Sequence, residues 1–327
     1  MNPTEIDQTH PWRGFNKLKY LFVFGDSYSA VGFRPSLKDF EPTEERPIGV
    51  EWPGHTWSKN QPVWVNHLIN IYAEETLLVY DYAEGGHTVR NVAMQVKDAF
   101  LTGAGREDRG NTWKAEDSLF VTWVGINDIA GPIDVDKTLE TLFELQDEIH
   151  KAGARNFLLF NIPPLPRQMK SSSARPSTFL EQATNRRTLW NDLLSQRLSS
   201  FAEMYPGSST FLFDAHALFT EILDSPTSFG FSTDRDVGTS MDGEVWCDHI
   251  HPTTATHKIV AREVFKFLTG NADVLEREPR WTVKQDNVAD LNSRLLKAGT
   301  APSATSNVKT SIPSSVFQKA KGLLLRK

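Results

Sequence analysis

Along the chain, short unbroken apolar runs alternate with longer segments in which apolar residues return every three or four positions. The runs are Leu18–Gly25, Leu77–Ala83, Ser118–Val124, Asn156–Ile162 and Thr210–Asp214, five to eight residues each. Without an in/out alternation they predict strands covered on both faces, as in a parallel sheet. Between them lie helix candidates at Pro62–Tyr72, Asn91–Leu101, Val135–Lys151 ending at Gly153, Ser177–Met204, and Pro252–Leu268 ending at Gly270. In the fourth, Leu189, Trp190, Leu193, Leu194, Leu198 and Phe201 recur at helical spacing. This order predicts an α/β fold, a three-layer α/β/α sandwich around a mostly parallel five-stranded sheet.

Two connections are long and irregular, and such insertions in a compact domain are usually functional. Ser29–Gln61 carries Pro35, Pro42, Pro47, Pro53 and Gly54 with Trp52, His55 and Trp57, and Ser225–Trp246 is rich in Ser, Thr, Asp and Gly. Both follow predicted strands at the carboxyl edge, where parallel sheets bind ligands.

Composition narrows the class. At 327 residues, 39% hydrophobic and 23% charged, the chain has the make-up of a globular protein of one large or two ordinary domains. Its net charge of −6 argues against nucleic acid as a partner. That charge is uneven: ten basic and four acidic residues from Leu275 to Lys327 make this stretch +6 and leave −12 on residues 1–274. The expected division is a catalytic domain over 1–274 and a basic extension over 275–327. Ala298–Ser315 reads as a flexible linker. Val316–Lys327 reads either as a solvated tail or as a basic amphipathic helix touching a membrane or partner.

Cys247 is the only cysteine, which excludes an internal disulfide and a cysteine-built zinc site. No apolar run of seven or more occurs between Met1 and Lys19, so no leader is visible and a cytoplasmic address is expected, or secretion if a leader once preceded the sequence.

The first predicted strand stops at Gly25 and exposes Asp26-Ser27, a hydroxyl at a strand end. Serine needs a base to act as a nucleophile at neutral pH. Asp248-His249-Ile250-His251-Pro252 offers one: an acid three residues before His251, with Pro252 suited to a first helical turn. That spacing lets Asp248 reach one imidazole nitrogen while the other faces a serine. His249 and His251 could alternatively pair on a metal, but a third ligand is missing nearby, and no metal or other cofactor is expected. Oxyanion donors are available after the second strand, in Ala83-Glu84-Gly85-Gly86-His87, and after the third, in Gly125-Ile126-Asn127-Asp128.

Gly-Asp-Ser, a glycine after the second strand, Gly-x-Asn-Asp and Asp-x-x-His, in that order over about Lys19 to Leu268, resemble the SGNH or GDSL hydrolase superfamily, whose fold is flavodoxin-like. The resemblance implies Ser27 as nucleophile, His251 as base and Asp248 as orienting acid. It also implies an oxyanion hole built from the Ser27 N–H, the Gly86 N–H and the Asn127 amide, with Gly86 preferred over Gly85. Ser29 is a rival hydroxyl, while Asp26 and Asp128 read as loop-holding carboxylates. No Gly-x-Ser-x-Gly elbow is present, which separates the chain from ordinary α/β-hydrolases.

Phe-Gly-Asp-Ser-Tyr-Ser, the Trp57 to Val65 segment and Tyr82-Ala83-Glu84-Gly85-Gly86 look like the branch that holds the fungal acetylesterases of carbohydrate esterase family sixteen. The implied activity is hydrolysis of short, chiefly acetyl, esters of carbohydrates or similar small alcohols. Trp52, Trp57 and His87 are candidate substrate contacts, and Trp64 reads as core. Alternatives are a lipase or lysophospholipase acting on longer acyl chains, an acyltransferase using the same residues, and a catalytically silent carbohydrate-binding protein. Because Cys247 adjoins Asp248, its modification is expected to disturb the catalytic loop.

Overall fold

The computed structural model describes residues 11–35, 40–106, 113–164, 177–232, 243–248, 250–272 and 277–282. Five strands, β1 (Tyr20–Gly25), β2 (Leu78–Asp81), β3 (Ser118–Trp123), β4 (Asn156–Phe160) and β5 (Ser209–Phe213), form one sheet in the order β2-β1-β3-β4-β5. Every pairing is parallel. Burial follows position. The central β3 and β4 are buried along their whole length, whereas the edge strands β2 and β5 keep partly exposed positions. Uninterrupted apolar runs are the mark of strands covered on both faces.

Helices α1 (Trp64–His67), α2 (Val89–Met94), α3 (Val135–Lys151), α4 (Ser177–Met204), α5 (Ala215–Asp224) and α6 (Thr254–Thr269) flank the sheet. The first two continue into π-helical turns, Leu68–Tyr72 and Gln95–Phe100. Helix α1 packs on α6, while α2 and α4 both pack on α3. One face of the sheet carries Trp123 stacked on Phe160 at 4.6 Å, with Trp64 against both. The other carries Phe22 stacked on Phe120 at 4.6 Å, with Phe100 and Trp113 at their edges. In α4 the stripe buries Trp190, Leu194, Leu198 and Phe201 but leaves Leu189 exposed, so the helix lies with Leu189 turned to solvent.

The sequence pattern left α5 unassigned. It starts one residue after β5, its cap Asp214 accepting from Ala217 N–H, so no turn residues mark the change of period. Residues 277–282, which composition placed in the extension, pack on the main body instead. Asn70 Oδ1 accepts from the N–H groups of Arg280 and Trp281, Arg277 pairs with Glu74 at 2.8 Å, and Trp281 stacks on Trp52. The compact unit runs to Val283. The linker at Ala298–Ser315 and the tail Val316–Lys327 lie outside the described residues.

Candidate active site

Strand β1 delivers Ser27 to the carboxyl edge of the sheet, beside β3. Gly25 pairs with Trp123, has φ of +152°, and a Cβ there would lie 2.1 Å from the Trp123 carbonyl oxygen. Only glycine allows β1 to turn off the sheet this close to β3. The chain then coils tightly, with Ser29 and Ala30 N–H donating to the Asp26 carbonyl and Tyr28 N–H to Asp26 Oδ1. Ser27 N–H is left without an acceptor among the described residues, and the residue is 4% exposed.

The loop before α6 meets this turn. Trp246 bridges to Pro252, Cys247 N–H donates to the His251 carbonyl at 2.9 Å, and Ser58 Oγ donates to the Pro252 carbonyl at 2.8 Å. Tyr28 Oη donates to the Ile250 carbonyl at 2.5 Å, tying the residue after Ser27 to the histidine loop. Within the loop Asp248 Oδ1 accepts from Ile250 and His251 N–H, and Oδ2 lies 2.7 Å from His251 Nδ1. Burial pushes the Asp248 carboxyl upward, but the His251 ring and the two N–H donors outweigh it and hold the group well below the usual carboxylate range. An ionised Asp248 accepts the Nδ1 proton, so His251 Nε2 presents its lone pair to Ser27 Oγ, 3.0 Å away. A hydroxyl, an imidazole and a carboxylate in this row allow the imidazole to take the hydroxyl proton as the oxygen attacks a carbonyl.

Asn127 follows β3. Its Nδ2 donates to the His87 carbonyl at 2.9 Å, which leaves its second amide hydrogen for another acceptor. Gly86 has φ of +79°, and neither it nor Gly85 donates a backbone hydrogen bond among the described residues. The two carboxylates read as loop-holders sit in hydrogen-bonded turns. Asp128 accepts from Val89 N–H at the start of α2, and burial raises it to about 6. Asp26 is raised to about 8 by burial, with the Tyr28 N–H opposing and the Asp128 charge adding to the rise.

The profile of the GDSL-like Lipase/Acylhydrolase family matches residues 21–264. The chain belongs to that family. The resemblance drawn from the motifs therefore holds, and membership places the chain among carboxylic ester hydrolases. An acetylesterase of Thermothelomyces thermophilus is 28% identical over 270 residues, 75% of this chain and 87% of that one. An acetylesterase of Hypocrea jecorina is 22% identical, covering 78% of this chain and 90% of that one. A solved variant of an acetyl xylan esterase from Geobacillus stearothermophilus is 16% identical, covering 79% of this chain and 100% of that one with a TM-score of 0.45.

Around the Ser27–His251–Asp248 row, the structure corrects some of the residues singled out as substrate contacts. Trp57 stacks on the His251 ring at 5.3 Å between centroids, stays half exposed, and lines a cavity of about 630 Å³ together with His55, Glu84, His87 and Asp98. His87 therefore borders this cavity. Trp52 stacks on Trp281, 5.5 Å away, and does not line this cavity. Trp64 is fully buried and donates to Ser29 Oγ, so Ser29 is a core hydroxyl with its partner in place and cannot rival Ser27. His249 lies outside the described residues. The Cys247 thiol is buried and raised to about 11, chiefly by burial and then by Asp248, which keeps it in the unreactive protonated form rather than exposed to modification.

Sequence reasoning missed Tyr28, Ser58 and Gln95. Tyr28 directly follows Gly-Asp-Ser, and its phenol is the one sequence signal for a tie to another loop. Ser58 and Gln95 had no sequence signal, being ordinary polar residues on a loop and a helix.

Proposed function

We propose that the chain hydrolyses short-chain, chiefly acetyl, esters of a carbohydrate or similar polyhydroxy alcohol through an acyl-Ser27 intermediate. The observation that carries this reading is the hydrogen-bonded row from Ser27 Oγ through His251 to Asp248. Ser27 Oγ attacks the ester carbonyl carbon while its proton moves to His251 Nε2. Negative charge on the former carbonyl oxygen is met by the Ser27 and Gly86 N–H groups and the Asn127 amide, each such donor being worth about 10²–10³ in rate. Collapse expels the alcohol, which takes the proton from Nε2. Water then repeats the sequence on the acyl-serine, releasing the acid and restoring Ser27. Asp248 stays ionised throughout and stabilises the imidazolium.

The cavity beside Trp57 supports a polar alcohol over a lipid chain. It is lined by the half-exposed Trp57 indole, which offers apolar surface to a sugar ring, together with the polar Arg34, His55, Glu84 and Asp98. Hydrolysis of 4-nitrophenyl acetate is expected to vanish in Ser27→Ala, and unchanged turnover would refute the mechanism. Asp248→Asn should fold normally and lose on the order of 10³–10⁴ in kcat, because the tautomer is no longer enforced. A panel of esters from acetyl to decanoyl should favour acetyl; a preference for decanoyl would favour a lipase instead.

A further inference from the structure

Strand β2 pairs with β1 in register only as far as Asp81 opposite Val23; beyond it Tyr82 N–H donates to the Val23 carbonyl at 2.8 Å and Glu84 N–H to the Gly25 carbonyl at a long 3.3 Å, while no backbone group on that side accepts from Gly25 N–H among the described residues. A side chain completes the pairing. Gln95, 5% exposed at the junction of α2 and the π-helical turn, accepts from Gly25 N–H through Oε1 at 2.9 Å and donates through Nε2 to the Gly25 carbonyl at 2.7 Å. A primary amide offers the same donor and acceptor as a peptide group, and here it supplies the acceptor for Gly25 N–H and a second, shorter donor to the Gly25 carbonyl beside Glu84 N–H.

The same Nε2 donates to His87 Nδ1 at 2.8 Å. An amide nitrogen only donates, so the neutral His87 ring carries its proton on Nε2, which lies 3.4 Å from Glu84 Oε2. The His87 carbonyl in turn accepts from Asn127. Gln95 is thus the first link of a chain, Gly25–Gln95–His87–Asn127, that joins the end of β1, the loop carrying Gly86 and the end of β3. We propose that Gln95 is a positioning residue that registers the three oxyanion donors and fixes the His87 tautomer. The proposal rests on the assignment of the Ser27 N–H, Gly86 N–H and Asn127 amide to the oxyanion. Gln95 acts through these groups and touches no reacting atom.

The test compares Gln95→Met, which keeps length and loses every hydrogen bond, with Gln95→Glu, read at a pH high enough to ionise the buried carboxyl, which then keeps an acceptor for Gly25 N–H but has no proton to give His87. Gln95→Met should lose about 10–100-fold in kcat on 4-nitrophenyl acetate with KM changed less than about two-fold, the signature of misplaced transition-state donors. Nitrogen NMR of histidine-labelled protein, with His87→Ala for assignment, should show Nδ1 of His87 unprotonated in the parent and protonated in Gln95→Glu. Unchanged kcat in both variants, or a protonated Nδ1 in the parent, would each overturn the proposal. If Gln95→Met fails to fold, the Gln95→Glu kinetics and the parent tautomer still decide. Ser27→Ala run alongside separates the two readings: retained turnover there would remove the serine mechanism, while the His87 tautomer would still report on Gln95.

Discussion

Trp57 owes its place over His251 to a missing side chain. A Cβ on Gly85 would fall 2.1 Å from Trp57 Nε1, and since Trp57 is half exposed, the indole rather than the backbone would give way. The indole face lies near-parallel to the imidazole, 18° between planes, where it favours the imidazolium formed during turnover by about 1 kcal/mol. Trp57→Ala should therefore lower kcat/KM by about five-fold, and Gly85→Ala should do the same by displacing the ring. The double variant should cost no more than Trp57→Ala alone, which a double-mutant cycle on 4-nitrophenyl acetate measures; additive losses would place Gly85 in a separate role. Asp26 makes a different residue-scale prediction. The folded protein keeps its proton up to about pH 8, whereas the unfolded chain releases it near pH 4. Between these values the native state binds the extra proton, so on this account stability falls as pH rises through the window. Urea unfolding at pH 5 and pH 8 should show Asp26→Asn gaining on the parent by about 1 kcal/mol or more at the higher pH.

At the scale of elements, the far edge of the sheet can lose a helix cap without disturbing the catalytic row. Asp214 closes the junction of β5 and α5, accepting from Ala217 N–H and from Asn161 Nδ2, while Asn161 Oδ1 accepts from His216 N–H. Asp214→Ala should cost about 1–2 kcal/mol and lower the melting temperature by roughly 2–8 °C, with kcat on 4-nitrophenyl acetate unchanged, since no part of this junction touches the row. The same junction explains what the sequence could not reveal. Strands β1, β3 and β4 are legible because burial on both faces makes them near-continuous apolar runs with no charged residue, and α3 is legible because Asp134 and Gly153 bracket its stripe. Helix α5 is hidden because Phe213 and Ala215 belong to different elements with only Asp214 between. The row itself was legible because serine, histidine and aspartate declare their chemistry wherever they stand. Gln95 declares nothing: its meaning lies in Gly25 and His87, which only the folded chain sets beside it.

For the whole molecule, the boundary of the working unit is set by contacts and not by composition. Residues 277–282 close over Asn70, Ala73 and Glu74, with Arg280 donating to the Ala73 and Glu74 carbonyls and Trp281 covering Trp52. Ending the chain at Val283 should leave the melting temperature and kcat/KM on 4-nitrophenyl acetate as they are. Ending it at Gly270 uncovers Trp52 and the polar groups of Asn70, and should lower the melting temperature by roughly 5–10 °C. Equal melting temperatures for the two truncations would show that the strap adds nothing.

Ser27 and His251 stand 224 positions apart in the chain, and this separation makes the site a clock for synthesis. Domains begin to form from the amino end as a chain is made, so β1 and its serine exist long before their base. A ribosome-bound chain halted before residue 246 would carry a hydroxyl with no imidazole and stay silent to a fluorophosphonate. The first appearance of covalent labelling would mark the moment when the last segment docks, so that the enzyme reports the completion of its own folding.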